Sequence, residues 1–144
     1  MAARPRAYGN ERLRDLCQRM HDFYRKGQTS QLQRLQFQAE HLPEIALSPQ
    51  EATRLFTVGQ VGYVPIDEVS GRIAATIALV YPPGIAVMVP GERWDDRAAP
   101  MIAYLKLFQD SYARFPGFEN EIQGVYPEQD KDGRVRLFTY VIRE

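Results

Sequence analysis

The sequence has very little cysteine or histidine and no excess of charge. Cys17 is its single cysteine, which excludes an internal disulfide and is typical of proteins of the reducing cytosol. Eighteen basic residues balance eighteen acidic ones, so no overall field attracts nucleic acid or an anionic membrane. His21 and His41 have no second histidine or thiol at a metal-ligand spacing. We therefore expect a cytoplasmic protein that has neither nucleic acid nor a membrane as a partner.

Long uncharged stretches are also scarce, and the exception lies between Arg72 and Glu92. Tandem prolines at 82 and 83 interrupt it. Because proline removes an amide donor and clashes with the preceding turn, no continuous membrane-spanning helix can cross this point. Two apolar, β-branched runs remain, at residues 73–80 and 85–89, and both alternating faces are apolar. Since a strand that is apolar on both faces is covered on both, we predict a central, buried antiparallel strand pair.

The first helix is predicted from its apolar spacing. Residues 1–9 lack such a pattern, so we interpret them as an irregular lead-in or a cut end. Asn10 is the predicted N-cap of a helix that runs to about Lys26. Its apolar stripe consists of Leu13, Leu16, Cys17, Met20 and Phe23. Because Cys17 belongs to this stripe, we expect it to be buried and unreactive.

Two more helices are predicted before the middle of the chain. Ser30, with a glutamine three residues later, fits a capping box that starts a helix ending before Pro43. Ser48 is followed by proline at the first helical position and a carboxylate at the third, which is a strong helix start. This third helix is expected to end near Gly59.

The second half of the chain changes to strands around one long helix. A short strand after residue 60 is expected at a sheet edge, because Pro65 has no amide proton to donate. The long helix is predicted to start between residues 95 and 99 and to end near Arg114. A terminal hairpin follows, formed by residues 122–126 and 135–142. Helices first and strands later predict an α+β fold, in a single domain that spans residues 1–144.

Four short motifs occur in order along the chain: YPPG, PGE, FPGF and a closing GVY–loop–DG strand pair. With these four motifs in this order, the chain resembles the C-terminal domain of bacterial ornithine/lysine/arginine decarboxylases. LRDLCQRMHDFY, SPQEA and GRIAA, together with Gln123, are similar to the constitutive ornithine decarboxylase branch. The resemblance covers nearly the whole chain.

The resemblance implies a pyridoxal-phosphate enzyme with an aspartate-aminotransferase-like large domain, which converts L-ornithine to putrescine and carbon dioxide. Such enzymes hold the cofactor as a Schiff base on a lysine. The three lysines, Lys26, Lys106 and Lys131, lack the histidine that precedes the family's cofactor lysine. We therefore expect no catalysis by this chain alone. It would act as an accessory domain that packs on the cofactor domain, within a homodimer or larger homo-oligomer.

Candidate contact residues come from two turns at the ends of the predicted central strands. By resemblance, these residues would face the active-site entrance or the domain interface: Tyr81, Pro82, Pro83, Gly84 and Glu92. A carboxylate such as Glu92 could attract the amine end of a diamine-like substrate or pair with an arginine across the interface. A simpler interpretation is that these residues only shape turns.

The sequence leaves the type of protein, the parent substrate and the role of its one tryptophan open. The chain could be a stand-alone, non-catalytic protein of the same fold that binds and regulates decarboxylase subunits. Lysine or arginine could replace ornithine as the parent enzyme's substrate, since side-chain selection in these enzymes depends mostly on residues outside this segment. Trp94 is equally suited to an interface and to packing under the long helix.

Overall fold

The structure, a computed structural model, describes residues 7–144 and shows the predicted mixture of helices and antiparallel strands. The helices are α1 (Leu13–Lys26), α2 (Thr29–Leu35), α3 (Pro49–Thr57) and α4 (Ala99–Arg114). The strands are β1 (Val61–Pro65), β2 (Ala78–Tyr81), β3 (Ile85–Met88), β4 (Glu121–Gln123), β5 (Val125–Gln129) and β6 (Val135–Ile142). The long helix α4 packs against both α2 and β6. The predicted α+β class is therefore confirmed.

The strands form two small antiparallel sheets, ordered β1-β6-β5 and β3-β2-β4. β1 pairs with β6 from Val61 opposite Ile142 to Pro65 opposite Phe138. As predicted for a strand that contains Pro65, β1 lies at an edge, where a missing amide donor interrupts no ladder.

The prediction of a central strand pair is only partly right. β2 is the middle strand of its sheet, but β3 is an edge strand, and its first residue, Ile85, is 55% exposed. The apolar run before β2 is buried but does not extend the pair. Instead, the amide of Ala74 donates to the Glu92 carbonyl at 2.8 Å, and the amide of Ala75 donates to the Tyr140 carbonyl at 3.0 Å. Because these bonds join the run to other segments, the ladder with β3 is short.

The first strand of the predicted terminal hairpin, residues 122–126, is divided at Gly124 into two strands, β4 and β5. β4 pairs with β2, whereas β5 pairs with β6, so the chain passes from one sheet to the other. Gly124 has φ of +75°, and a Cβ there would collide with the Ile77 carbonyl. Its own carbonyl accepts a hydrogen bond from Thr139 Oγ1 at 2.7 Å. Only glycine fits this crossing without strain.

The helix starts are predicted with mixed success. Ser48 caps α3, since its Oγ accepts a hydrogen bond from the Glu51 amide at 3.1 Å. The other two starts are wrong. α1 has Arg12 rather than Asn10 at its N-cap, and α2 begins at Thr29 and ends at Leu35, well before the predicted stop. Ser30 therefore lies inside α2, and the Thr29 hydroxyl donates to the Tyr24 carbonyl at 2.8 Å.

Cys17 is exposed, so the prediction of a buried thiol is wrong. Leu16 is the buried residue of α1, and Cys17 lies about 100° further round the helix, given 3.6 residues per turn. Leu13, one turn before Cys17, is also exposed. The predicted stripe therefore wraps beyond the face that packs on the rest of the chain. Most of the predicted lead-in at residues 1–9 lies outside the described residues.

The main core lies between α4 and the two sheets. Pro100 is in the first turn of α4, as predicted, and Asp95 caps the short 3-10 turn that precedes it. Trp94 is buried in this core, so packing under the long helix is its observed role. Other fully buried members are Ile66, Met88, Tyr104, Leu105, Leu137 and Val141.

Candidate interdomain surface

The YPPG turn forms a compact projection between β2 and β3. Both of its X-Pro peptide bonds are cis, and the Gly84 amide donates to the Val80 carbonyl at 3.0 Å. Gly84 has φ of +82°, and a Cβ there would lie 3.1 Å from the Tyr81 ring, so the ring lies against the turn. Tyr81, Pro82 and Pro83 are exposed. The structure therefore brings these four predicted residues together at the surface.

Glu92 lies elsewhere, in the turn that follows the opposite end of β3. Its Oε2 accepts a hydrogen bond from the Val89 amide at 2.8 Å, so the carboxylate closes its own turn. Burial raises the pKa of Glu92, the Val89 amide opposes that shift, and Asp95 adds to it. The neighbouring Arg93 already pairs with Glu44 at 3.3 Å and Glu144 at 3.1 Å. Glu92 is therefore a half-buried carboxylate apart from the YPPG turn.

A groove beside the YPPG turn was not predicted from the sequence. It lies between the C-terminal end of α2 and β3, has a volume of about 210 Å³, and we call it the α2–β3 groove. Its lining includes Gln33, Gln36, Phe37, Pro83, Ile85 and Tyr104. The sequence signal that could have indicated it is Phe37, an isolated aromatic residue among glutamines.

The polar side chains of the α2–β3 groove differ in whether they have a hydrogen-bond partner within the chain. Gln33 Nε2 donates to the Tyr104 hydroxyl at 2.9 Å, and burial raises the pKa of Tyr104. Gln36 is 2% exposed, and its Oε1 accepts no hydrogen bond from the described residues. An unpaired buried carbonyl costs about 1–3 kcal/mol, so this oxygen is suited to accept a donor from a partner.

The lysines are not arranged to hold pyridoxal phosphate. Lys106 Nζ forms a surface ion pair with Asp67 at 3.1 Å, and Lys26 and Lys131 are exposed. A Schiff-base lysine instead needs an enclosed site beside a group that engages the pyridine nitrogen. We therefore derive no catalytic step from these residues.

The remaining sequence candidates have ordinary structural settings. His21 is exposed, and His41 Nδ1 lies 3.3 Å from the Arg97 carbonyl oxygen. Among residues 7–144 there is no group of three or more histidine, cysteine or acidic side chains that could hold a metal ion. Each helix formed by these residues is too short or too polar to span a bilayer.

Similarity to known proteins identifies the family. Residues 30–143 match the family described as the C-terminal domain of Orn/Lys/Arg decarboxylases. This chain belongs to that family. It is 41% identical to the inducible ornithine decarboxylase of Escherichia coli K12 over 94% of its length, and 40% identical to the constitutive enzyme of that strain over 96%. It covers only 18% and 19% of those two proteins, respectively. The resemblance stated from the motifs is therefore confirmed.

Solved structures of lysine decarboxylases share the fold. Lysine decarboxylase A from Pseudomonas aeruginosa superposes with a TM-score of 0.84 at 34% identity, over 95% of this chain and 18% of that one. The constitutive lysine decarboxylase of E. coli superposes with a TM-score of 0.81 at 30% identity, over 96% of this chain and 19% of that one. This Orn/Lys/Arg decarboxylase C-terminal domain thus corresponds to about a fifth of each related polypeptide.

Proposed function

We propose that this chain is the accessory C-terminal domain of a pyridoxal-phosphate-dependent ornithine decarboxylase, which converts L-ornithine to putrescine and carbon dioxide. The observation that carries the proposal is its 40–41% identity to ornithine decarboxylases, of which it covers 18–19%. Identity to the lysine decarboxylases of E. coli and P. aeruginosa is lower, at 32–35%, which supports ornithine as the substrate.

In this proposal the chain has no activity alone, because the parent enzyme's large domain supplies the lysine that holds the cofactor. The accessory domain packs on that large domain in the cytoplasm, within a homodimer or larger homo-oligomer. The rings of Pro82 and Pro83 fix the φ angles of both residues and so stiffen the YPPG turn. The turn therefore loses little conformational entropy when it packs at the active-site entrance and shapes it.

Glu92 has a separate role in the proposal, at the domain interface. It is half-buried and accepts one backbone hydrogen bond, so its charge is incompletely compensated within residues 7–144. An arginine of the large domain, or the amine end of the substrate, would compensate it. The YPPG turn and Glu92 then contact the large domain at two separate places.

The size of the native polypeptide tests the proposal. An antibody against this segment, applied to source cells on a denaturing gel, should detect a band several-fold larger than 16.6 kDa. Purified through that antibody, the large polypeptide should decarboxylate ornithine faster than lysine or arginine. A band at 16.6 kDa would contradict the proposal and favour the stand-alone regulator. A large polypeptide that prefers lysine would contradict the substrate assignment alone.

A further inference from the structure

The α2–β3 groove combines an apolar opening with a buried hydrogen-bond acceptor. Phe37 and Ile85, at its opening, are 47% and 55% exposed, and Tyr81, at the end of β2, is 56% exposed. Gln36 lines the groove, and its Oε1 has no partner among residues 7–144. Large apolar residues exposed around a concave surface are typical of a contact site.

The groove's volume indicates the size of its occupant. At about 210 Å³ it is smaller than the 300–1,000 Å³ that is usual for sites of whole small-molecule ligands. A single branched aliphatic or aromatic side chain of a protein suits this volume better. The groove is therefore better matched to one anchoring side chain than to a metabolite.

The surroundings of the groove suit an extended protein segment. β3 is an edge strand, and within residues 7–144 no strand pairs with its outer side. Extended segments commonly bind along such edges, with one side chain inserted in a neighbouring pocket. The terminal torsion of a glutamine side chain is broad, so the Gln36 amide can turn its oxygen toward a backbone donor in the groove.

We propose that the α2–β3 groove binds one apolar side chain from the part of the decarboxylase polypeptide that lies outside these 144 residues. A backbone N–H next to that side chain donates to Gln36 Oε1. This inference rests on the proposed function, because the relatives carry about four-fifths of their length beyond the matched segment. That remainder is the partner already joined to the domain in these relatives.

A second copy of this chain is a poorer occupant for geometric and chemical reasons. A two-fold interface places the same surface of each copy against the other, so it must be self-complementary. If the groove lay on the two-fold axis, a concave groove would face a concave groove, and two Gln36 carbonyls without donors would be buried together. Such an interface would leave unpaired acceptors on both sides, which is unfavourable.

Photo-crosslinking in the intact decarboxylase tests this proposal. Ile85 is replaced by p-benzoyl-phenylalanine, the enzyme is irradiated, and crosslinked peptides are mapped by mass spectrometry. Val58 is the matched control position, because it is also aliphatic, is 58% exposed and lies outside the groove lining. We expect Ile85 to crosslink to decarboxylase peptides that lie outside residues 1–144, at a several-fold higher yield than Val58.

Two results would overturn the proposal: crosslinks only to residues 1–144, whether of the same or a second copy, or a yield no higher than at Val58. The same preparation is assayed for ornithine decarboxylation. An active enzyme without the expected crosslink would overturn the occupancy of the groove and leave the proposed function intact. A crosslinked polypeptide that fails to decarboxylate ornithine both with and without the Ile85 substitution would contradict the proposed function alone.

The hydrogen bond is tested by Gln36→Leu in the crosslinking enzyme. Loss of the acceptor should lower the Ile85 crosslink yield several-fold, whereas Glu40→Gln, an exposed position beyond α2, should leave the yield unchanged. In the 144-residue chain, Gln36→Leu should leave the thermal midpoint unchanged or raise it, because it removes an unpaired buried oxygen. Unchanged crosslinking together with a lowered midpoint would show that Gln36 acts within the chain and would overturn its assigned role.

Discussion

The two longest helices of residues 7–144 are α4 and α1, with 16 and 14 residues, yet they are covered very differently. α4 buries seven residues against α2 and the sheets, whereas α1 buries Leu16 alone. Leu13 and Cys17, one turn apart on α1, are both exposed. The position of α4 is thus determined by contacts within this chain. α1, by contrast, keeps apolar residues that no part of residues 7–144 covers.

The largest expected effect separates these two helices directly. Leu105→Ala, in the core beneath α4, should lower the free energy of unfolding by about 2–5 kcal/mol, because it leaves a cavity. Leu13→Ala, on the exposed face of α1, should change it by less than about 0.5 kcal/mol. Urea unfolding of the 144-residue chain measures both. Equal effects would contradict the difference in coverage.

The uncovered apolar residues predict self-association of the free chain. At high concentration we expect the 144-residue chain to form dimers or larger species, because exposed apolar side chains leave water when they meet. Replacing Leu13 and Ile45, the two most exposed large aliphatic residues among residues 7–144, by glutamate should shift it toward the monomer. Analytical ultracentrifugation measures the distribution. The control variant places the same charges at exposed polar positions, Gln31→Glu and Gln50→Glu. A clean wild-type monomer would contradict this prediction.

A smaller effect compares two serines that the sequence presents as equivalent helix starts. Ser48→Ala should lower the free energy of unfolding by about 1 kcal/mol, because the hydroxyl caps α3. Ser30→Ala should have little effect or stabilise slightly, because Ser30 lies within α2, where alanine is the better helix former. Chemical unfolding of both variants measures the difference. A larger loss at Ser30 would show that the capping box forms in solution.

These two serines illustrate what sequence patterns predict in this chain. The start of α3 is encoded locally, by a capping residue with proline at the next position, and the structure confirms it. At Ser30 the capping-box pattern does not mark the helix start, because α2 has Gln28 at its N-cap and begins at Thr29. The local difference between the two serines is Pro49, which follows Ser48 at the first helical position and has no counterpart after Ser30.

The strands show the same limit at longer range. Period and composition predicted β6 and the edge position of β1, because alternation and Pro65 act within one strand. They did not predict the crossing at Gly124, which depends on the close approach of the Ile77 carbonyl from a distant segment. The candidate interdomain surface likewise has one part that the sequence predicts and one that it does not. The YPPG turn is visible in the sequence, but Gln36 joins the groove only through the packing of α2 beside β3.

The smallest expected effect concerns Glu92, whose setting contrasts with that of the exposed acids on α1. Burial raises its pKa above the ordinary value of 4.5, so folding favours the protonated form. Its contribution to stability is therefore complete below the unfolded pKa and is lost as pH rises through the folded pKa. Glu92→Gln keeps an oxygen for the Val89 amide and removes the charge. In the 144-residue chain, this substitution should reduce the loss of stability that occurs as pH rises above about 4.5. At pH 7 it should raise the free energy of unfolding by less than about 1 kcal/mol, because solvent screens a half-buried carboxylate.

In the intact enzyme the same substitution should act in the opposite direction. If an arginine of the large domain or the substrate's amine compensates Glu92, then Glu92→Gln removes a favourable charge interaction and should lower stability or raise the KM for ornithine several-fold. Thermal unfolding and steady-state kinetics measure these two outcomes. Glu40→Gln, at an exposed position outside the groove lining, is the matched removal of one carboxylate charge and should change neither quantity. An unchanged KM together with unchanged or increased stability would mean that Glu92 only closes its turn. The contact with the large domain would then be left to the YPPG turn and the α2–β3 groove.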